Sequence, residues 1–509
     1  MRVLLFLICG LLFAQHQSTP PDVPCAQTTL VRFDRGPHWE DASQVGPRHI
    51  AYIQQQLKSG TVLSAGPMAG AQPDTVMRLA GTDWKQAEAI LNADPYEREG
   101  VLKIASHEVS NGCEAGKTGT PIQTSCTLAS GACTEINLRE TDPYSTAGAF
   151  GGYADPTIRQ DPQTGTLWMA YSWPHTIRDP GRGRPAQVID THVSYSTDKG
   201  KTWTYKGALY VAQQVRNPVT GDSDYTAHEV MNLLPQVVKG VTYWYGIHAV
   251  YNVPPNSGRG MRMERYSKRW QIAMAPGDAT TGPMGLASAA PQYLGQSINT
   301  EGQRFPVALD LSSVDPEVSG CVQFYEPALV LSNNNLYLFL SCQPAASPAA
   351  FYAVFRTGSP HEHAPDWKWT YVRQGPTKFA NLSDARSVSR YLGSGATYLT
   401  QMDIMPSKTP GTLLAVMTAA YNENGRKVSL GCVAAEMASL DPPKFVYDPQ
   451  GQIQVDALIT SPDSEPTGPG SCTYSPVSAT GMIMAHRQAF RAPQNNGFFT
   501  FLMQSLLTP

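Results

Sequence analysis

Two carboxylic acids in this chain of 509 residues each stand directly before a proline, at the start of a strand-like segment. They are Asp155, before Pro156, and Glu326, before Pro327. Two carboxyl groups that face each other across a cleft can hydrolyse a glycosidic bond, because one protonates the leaving oxygen while the other acts as a base or nucleophile. The competing interpretation is that both pairs are only turns that begin strands. The first interpretation requires a fold that brings these distant segments together.

A pattern that recurs from about residue 151 predicts such a fold. Five segments each combine a short strand, a turn and an aromatic or apolar strand, and their corresponding residues are Asp155, Leu234, Glu326, Asp403 and Ser475. Their spacing exceeds the roughly 40–50 residues that one propeller blade needs. The pattern predicts a five-bladed β-propeller over residues 151–509, or a six-bladed one if residues 285–320 form a further blade. Because inner strands line the channel of a propeller, Asp403 joins Asp155 and Glu326 as a catalytic candidate.

One turn has a sharper signature. Residues 196–203 read Ser-Thr-Asp-Lys-Gly-Lys-Thr-Trp. Asp198 can accept hydrogen bonds from backbone N–H groups of the turn, Gly200 permits a positive φ, and Trp203 can pack into the blade. The segment resembles the Asp box of sialidases and related propellers. In those proteins the box lies at the periphery of a blade, so the resemblance implies a propeller fold and no catalytic role for Asp198.

The acids that precede prolines carry a second resemblance. Asp155 and Glu326, with the prolines that follow them, resemble the first- and third-blade carboxylates of arabinanase-like five-bladed glycoside hydrolases. The resemblance implies that Asp155 is the general base and Glu326 the general acid. In that family a second-blade carboxylate tunes the acid. The aligned residue here is Leu234, so Glu229, five residues earlier, is the candidate for the tuning role.

Further residues are predicted to bind a glycan or another small-molecule substrate. The sialidase resemblance implies three arginines that clamp a carboxylate, and Arg159 is one candidate. Trp173, at a strand end, is the candidate platform on which a sugar ring stacks, whereas most other aromatic rings are expected to build blade cores. His228 and Tyr325 complete the predicted binding residues. A propeller that binds glycan or protein without catalysis is the main alternative, and a sialidase is the second.

Residues 27–108 predict a separate, smaller domain. Strand-like and helix-like stretches alternate in the order β-α-β-β-α-β, with helices expected over residues 48–57 and 84–91 and Asp83 as a helix cap. This order is typical of a ferredoxin-like α+β domain. The chain as a whole is therefore predicted to be mainly β, with this domain joined to the propeller by a Cys-containing linker, residues 109–150.

The small domain also resembles the YCII-related family. The resemblance rests on residues 46–49 (Gly-Pro-Arg-His), on the glycines and proline of residues 60–67, and on residues 93–96 (Ala-Asp-Pro-Tyr). It implies a small pocket lined by His49 and Asp94. A carboxylate can orient an imidazole as a general base. The competing interpretation is that Asp94 only turns the chain before its proline and that His49 is an ordinary helix residue.

The first residues predict export. Arg2 is followed by eleven apolar or small residues, which fits a signal peptide over residues 1–14 and is too short to span a bilayer. The alternative is a retained N-terminal anchor. We therefore expect a secreted or periplasmic protein with no transmembrane span after cleavage.

The cysteines agree with export, because the eight outside the signal segment form an even number typical of disulfide-bonded proteins. Cys321 and Cys342 flank a predicted hairpin and are expected to pair. Two of Cys113, Cys126 and Cys133 are expected to pair as well. No histidine or cysteine spacing matches a zinc site, so we predict neither a metal nor a cofactor. The formal net charge of -3 leaves no basic surplus for phosphates and argues against nucleic-acid binding.

Overall fold

The chain forms two compact units, residues 1–119 and 120–509, which the computed structural model describes in part. The predicted signal peptide, Cys9, Cys25 and Cys113 lie outside the described residues. None of the helices within the described ranges is long and apolar enough to cross a membrane. The described residues are 27–59, 61–67, 75–80, 83–111, 121–127, 133–138, 153–178, 185–216, 221, 223–254, 268–296, 307–344, 350–358, 360–361, 363–392, 395–407, 412–423, 426–448, 450–464, 468–488 and 498–505.

The described residues of the first unit form a four-stranded antiparallel sheet and three helices. Its elements are β1 (Gln27–Arg35), α1 (Ala42–Lys58), β2 (Val62–Pro67), β3 (Thr75–Ala80), α2 (Trp84–Asn92), α3 (Pro95–Arg98) and β4 (Leu102–Asn111), with a short 3-10 helix at Trp39–Asp41. The strands lie in the order β2-β3-β1-β4. Asp83 caps α2 as predicted, because its carboxylate accepts a hydrogen bond from the backbone N–H of Lys85 (3.0 Å). One face of the sheet packs its apolar residues against the helices.

The second unit is built almost entirely of strands. Its first strands are β5 (Ile122–Ser125) and β6 (Thr134–Ile136). A first sheet contains β7 (Ala154–Gln160), β8 (Leu167–Arg178), β9 (Pro185–Ser196) and β10 (Thr204–Tyr210). A second sheet contains β11 (Gln214–Arg216), β12 (Ser223–Val238), β13 (Val241–Val253), β14 (Arg269–Gly277), β15 (Gln292–Gly295) and β16 (Leu309–Asp310).

Three further sheets follow along the chain. The third contains β17 (Cys321–Ser332), β18 (Asn335–Pro344), β19 (Phe351–Thr357) and β20 (Thr370–Tyr371). The fourth contains β21 (Tyr398–Pro406), β22 (Leu413–Glu423), β23 (Arg426–Leu440), β24 (Pro443–Phe445), β25 (Val455–Thr460) and β5. The fifth contains β26 (Cys472–Tyr474), β27 (Ser478–Gln488), β28 (Phe498–Ser505) and β6. Helix α4 (Leu382–Leu392) and 3-10 helices at Gly282–Ala287 and Ala364–Asp366 lie in the connections.

The sheets have a β-propeller arrangement. One strand of each sheet lies innermost, and these strands are β7, β12, β17, β21 and β26. Each of them contacts the next in this order, and β26 contacts β7 to complete the ring. The ring is closed by an early segment of the unit, since β6 precedes the first sheet in sequence but pairs with β28 of the fifth. In the same way β5 pairs in parallel with β25 at the edge of the fourth sheet.

Two segments differ from the sequence prediction. The predicted linker, residues 109–150, contributes β5 and β6 to the propeller. The region 285–320, considered for a sixth blade, supplies β15 and β16 to the outer edge of the second sheet. In both cases the strands are short and complete a sheet whose other strands lie elsewhere in the sequence, so they carry no repeat of their own.

The core is divided among the spaces between neighbouring sheets. Strand β18 shows why, because its residues point alternately to the two faces of the third sheet. Leu336, Leu338 and Leu340 pack toward the second sheet, while Tyr337 and Phe339 pack toward the fourth. Similar clusters join the first sheet to the second, the fourth to the fifth, and the fifth to the first. Each sheet is therefore apolar on both faces, as a ring of blades requires.

The predicted disulfides are present where the structure describes them. Cys321 pairs with Cys342 across the β17–β18 hairpin, and Cys126 pairs with Cys133. A third bridge, between Cys432 and Cys472, joins the fourth sheet to the fifth. The third bridge had no local signal, because its two cysteines lie on different sheets.

The five inner strands are tied together by one buried polar cluster. Asp403 of β21 accepts hydrogen bonds from Arg159 of β7 (Nη1 to Oδ2 3.0 Å, and Nη2 to Oδ1) and from Asn232 of β12 (Nδ2 to Oδ1 3.0 Å). The Thr473 hydroxyl and the next backbone N–H of the chain, both on β26, also donate to Asp403. Asn232 accepts a hydrogen bond from the N–H of Leu329 on β17 (3.0 Å). We call Asp403, Arg159 and Asn232 the axial hub.

Inside the hub the negative charge of Asp403 is balanced by the positive charge of Arg159. The Arg159 side chain has no exposed surface and that of Asp403 has almost none. Burial alone would raise the pKa of Asp403, but the Arg159 guanidinium and the surrounding donors lower it. A buried carboxylate with these partners is held in place and stays ionised. This gives Asp403 a structural role, and its catalytic role stays a prediction.

We expect Asp403→Ala to lower the free energy of unfolding by about 3–5 kcal/mol, because it leaves the Arg159 charge buried without its counter-ion. Asp441→Ala is the matched control. It removes the same kind of partner from Arg356 in an ion pair exposed at the surface, and should cost at most about 1 kcal/mol. Urea denaturation followed by tryptophan fluorescence measures both values. Equal losses for the two variants would contradict the role given to the hub.

Candidate active site

The inner strands of the first four sheets share one backbone irregularity. In each, the pairing with the next strand is interrupted by a register shift. One residue at each interruption has a positive φ, and these residues are Asp155 (49°), Val230 (58°), Glu326 (45°) and Gln401 (53°). A β-bulge re-aims a side chain, and left-handed residues other than glycine cost about 1–3 kcal/mol and gather at functional sites.

This shared bulge defines which residues correspond in the structure. On the second sheet the corresponding residue is Val230, and the aligned Leu234 lies instead in the core beside the third sheet. On the fourth sheet it is Gln401, two residues before Asp403. The repeat in the sequence is defined by prolines and aromatic strands and not by the bulges. The predicted corresponding residues on these two sheets are therefore a few positions away from the bulge residues.

The bulges converge on one pocket at the axis of the propeller. Asp155, Glu326 and Gln401 line it, together with Asn232 and Asp403 of the hub. Asp155 and Glu326 come from the first and third sheets, so the ring brings the two predicted acids to the same pocket. Each of them is half-buried.

Glu326 has the properties of a proton donor. Burial and then the charge of Asp155 raise the pKa of its carboxyl, Lys427 and Lys268 oppose them, and the result is a pKa of about 7. Its Oε2 atom is buried and has no hydrogen-bond partner among the described residues. A carboxyl group in this state is protonated below neutral pH, and one of its oxygens has no hydrogen bond within the described residues.

Asp155 is held by two serines. The Ser172 hydroxyl donates to its Oδ2 (3.2 Å), and its backbone N–H donates to the Ser471 hydroxyl (2.9 Å). Burial raises the pKa of Asp155, while hydrogen bonding to Ser471 and the charge of Lys427 act in the opposite direction. The carboxylate form of Asp155 is thus better supported by hydrogen bonds than that of Glu326.

Glu229 lies beside this pair. It directly precedes the left-handed Val230, and burial raises the pKa of its carboxyl to about 7. The charge of Lys268 lowers that pKa, whereas Asp155 and Glu326 raise it. The structure therefore couples Glu229 electrostatically to both predicted acids.

Two lysines that the sequence did not indicate act on the same acids. Lys268, just before β14, has its Nζ 4.6 Å from the ring centroid of Tyr325 and 5.2 Å from that of Trp270. Burial lowers the pKa of Lys268, and Glu229, with the other two acids, raises it. Lys427, at the start of β23, donates a hydrogen bond from Nζ to Gln401 Oε1 (2.8 Å). Both lie outside the repeated inner-strand pattern, so that pattern gave no signal for them.

Two of the predicted binding residues lie away from the pocket surface. Arg159 is fully buried in the axial hub. Trp173 is 5% exposed and stacks with His175 and His192, with ring centroids 4.6 Å apart in both cases. Both side chains build the structure around the site.

The other two predicted binding residues differ in their surroundings. His228 is buried, with Nδ1 3.0 Å from His248 Nε2, and burial lowers its pKa to about 4. Its ring is therefore neutral at physiological pH. Tyr325 is half-buried next to Glu326, with its ring beneath the Lys268 ammonium.

In the first unit the structure brings His49 and Asp94 together. Their Nδ1 and Oδ1 atoms are 2.7 Å apart, and the His49 ring stacks on Tyr96 with centroids 3.9 Å apart. Asp94 also caps α3 by accepting from the Tyr96 N–H (2.9 Å). The Asp94 carboxylate thus both caps the helix and contacts the His49 ring. Among the described residues, one set able to reach a single metal ion is His38, Glu40 and Asp41, which is mostly exposed.

The turn at residues 196–203 has the predicted local geometry. Asp198 accepts hydrogen bonds from the Thr202 N–H (2.9 Å) and from the Thr202 and Ser196 hydroxyls. Burial is the largest single influence and raises the pKa of Asp198, but these hydrogen bonds together outweigh it and hold that pKa at about 2. Gly200 has a φ of 84°, and Trp203 is buried. The turn joins β9 to β10 at the outer edge of the first sheet.

Comparisons with solved structures found glycoside hydrolases. One is described as a glycoside hydrolase (12% identity, TM-score 0.39, covering 71% of this chain and 90% of that one). An α-L-arabinofuranosidase from Lactobacillus brevis gives 10% identity and a TM-score of 0.36 (72% and 94%). An arabinanase from Bacillus subtilis gives 12% and 0.34 (70% and 97%). At these identities and with TM-scores below 0.5, the likenesses support neither a fold nor an activity for this chain.

No family model matches the chain, and no curated protein matches it. The YCII-related resemblance therefore rests only on the motif residues quoted for it.

The raised pKa of Glu326 predicts a pH-dependent stability. Its ordinary value is 4.5 and its value in the fold is about 7. The stability tied to this carboxyl is therefore fully present below about pH 4.5 and is lost as the pH rises through 7. Glu326→Gln, which mimics the neutral acid, should match the wild type at pH 4.5 and exceed it at pH 8 by on the order of 1–2 kcal/mol, allowing for solvent at the pocket mouth.

Urea denaturation at the two pH values measures the difference. Glu423→Gln, at an exposed hairpin end, is the control and should change little between them. A Glu326→Gln effect that is the same at both pH values would contradict a raised pKa.

Proposed function

We propose that the second unit is a five-bladed propeller that hydrolyses glycosidic bonds in its axial pocket. The observation that supports this most is the shared bulge, which places Asp155 and Glu326, from two non-adjacent sheets, in one pocket. Burial there raises the pKa of Glu326, which reaches about 7. The five sheets and the five apolar spaces between them, counted over the described residues, support the number of blades.

In this proposal Glu326 is the general acid. Its buried Oε2 has no partner among the described residues, so it can give its proton to the oxygen of the scissile bond as that bond breaks. A pKa near 7 suits this role, because the group is protonated at working pH and still acidic enough to donate.

Asp155 is the base in the same proposal. The Ser172 hydroxyl stabilises its ionised form, which can accept a proton from an attacking water on the opposite face of the sugar. Glu229 and Lys268 adjust the protonation of the two acids, because a charge on either residue shifts the pKa of the acids it faces. Glu229 therefore takes the tuning role that the sequence left open.

A leaving-group comparison tests the assignment of the acid. We expect Glu326→Gln to lower kcat/KM by about 10²–10⁴-fold for glycosides of poor leaving groups, since these need protonation. Glycosides of dinitrophenol should be affected much less, because the dinitrophenolate group leaves without a proton. With these substrates the activity of Glu326→Gln should not decline above about pH 7. Asp155→Asn should impair both substrate classes.

The substrates are a panel of arabinosides, xylosides, galactosides and glucuronides, with Glu423→Gln as the control. Equal turnover of poor-leaving-group substrates by the wild type and Glu326→Gln would exclude Glu326 as the acid. Binding of glycans without turnover of any substrate would favour the non-catalytic propeller. For the sialidase alternative, none of the described residues that line the pocket is an arginine.

We further infer that the first unit is a ferredoxin-like, YCII-related domain and that the protein is exported. The strand order β2-β3-β1-β4 and the contact between His49 and Asp94 support the first inference. The three disulfides support the second.

A further inference from the structure

Gln401 occupies the same structural position as the two acids. It is the left-handed residue of the bulge on the fourth sheet, as Asp155 and Glu326 are on the first and third. Its side chain lines the axial pocket. A residue placed by the same bulge in the same pocket has the same access to a ligand, yet neither the sequence pattern nor the proposed reaction uses it.

Hydrogen bonds fix the orientation of the Gln401 amide. Its Oε1 accepts from the Thr418 hydroxyl (2.9 Å) and from the Lys427 ammonium (2.8 Å). An amide oxygen has two lone pairs, so both are used. What Gln401 can offer to a ligand is therefore the Nε2 group, which only donates hydrogen bonds.

The charge behind this amide is positive. Lys427 lowers the pKa of both Asp155 and Glu326, so its field reaches the centre of the pocket. Lys268 adds a second positive charge from the second sheet. When Glu326 is protonated as the proposed acid, it no longer carries a negative charge. Only Asp155 and Glu229 then remain to balance the two ammonium groups.

We propose that Gln401 and Lys427 recognise the carboxylate of an acidic sugar, so that the substrate carries a uronic acid residue in the axial pocket. The Gln401 Nε2 group donates to the carboxylate, and Lys427 supplies the opposite charge behind it. The inference rests on the proposed function in taking this pocket as the sugar site. The bound carboxylate also favours the protonated form of Glu326, which the reaction requires.

Titration calorimetry of the full chain with free sugars tests the proposal. The probes are D-glucuronate and D-galacturonate, each compared with its neutral counterpart, D-glucose or D-galactose. We expect at least one uronate to bind about tenfold or more tightly than its counterpart. Lys427→Met and Gln401→Glu should each weaken the binding of that uronate by about tenfold or more. Gln401→Glu keeps the size of the side chain and reverses its chemistry, so it separates recognition from folding.

The matched control is Lys444→Met, which removes an exposed lysine from the same sheet and should leave uronate binding unchanged. Neutral sugars that bind as tightly as the uronates, no binding of either uronate, or variants that bind the uronate like the wild type would each overturn the proposal. Free monosaccharides have no bond to hydrolyse. Failure of this binding test can therefore be distinguished from failure of the leaving-group comparison.

Discussion

The structure of the second unit depends on one buried ion pair. Asp403 and Arg159 come from the fourth and first sheets, and with Asn232 they reach all five inner strands. A buried charge is tolerated only when its partner and hydrogen bonds are in place. The hub therefore favours one closed arrangement of the ring, and the bulges stand directly beside it.

The chemistry of the pocket follows from that closure. Asp155, Glu229 and Glu326 approach one another only because their strands meet at the axis. Burial raises the pKa of each, and the charge of Asp155 raises those of Glu229 and Glu326 as well. Lys268 and Lys427 limit this repulsion. The left-handed backbone at the bulges is strained, and the hub and the apolar spaces between sheets stabilise the ring against that strain.

Much of this could be predicted from the sequence. The repeat indicated a propeller arrangement, and the prolines after Asp155 and Glu326 indicated two acids at one site. The register on the second and fourth sheets could not be predicted, because Val230 and Gln401 adopt a positive φ without being glycine. Asp403 looked like a third catalytic acid, since nothing in the sequence shows that Arg159 lies against it. Strands β5 and β6 had no signal, because their partners lie hundreds of residues away.

The protonation of Glu326 tests the central claim most directly. The carboxyl carbons of glutamate can be labelled with ¹³C, and the Glu326 signal is identified by its loss in Glu326→Gln. We predict that this signal titrates near pH 7 in the wild type, in line with its burial and the charge of Asp155, and at a lower pH in Asp155→Asn. Titration near 4.5, unchanged in Asp155→Asn, would contradict the convergence of the two acids at the axis of the ring.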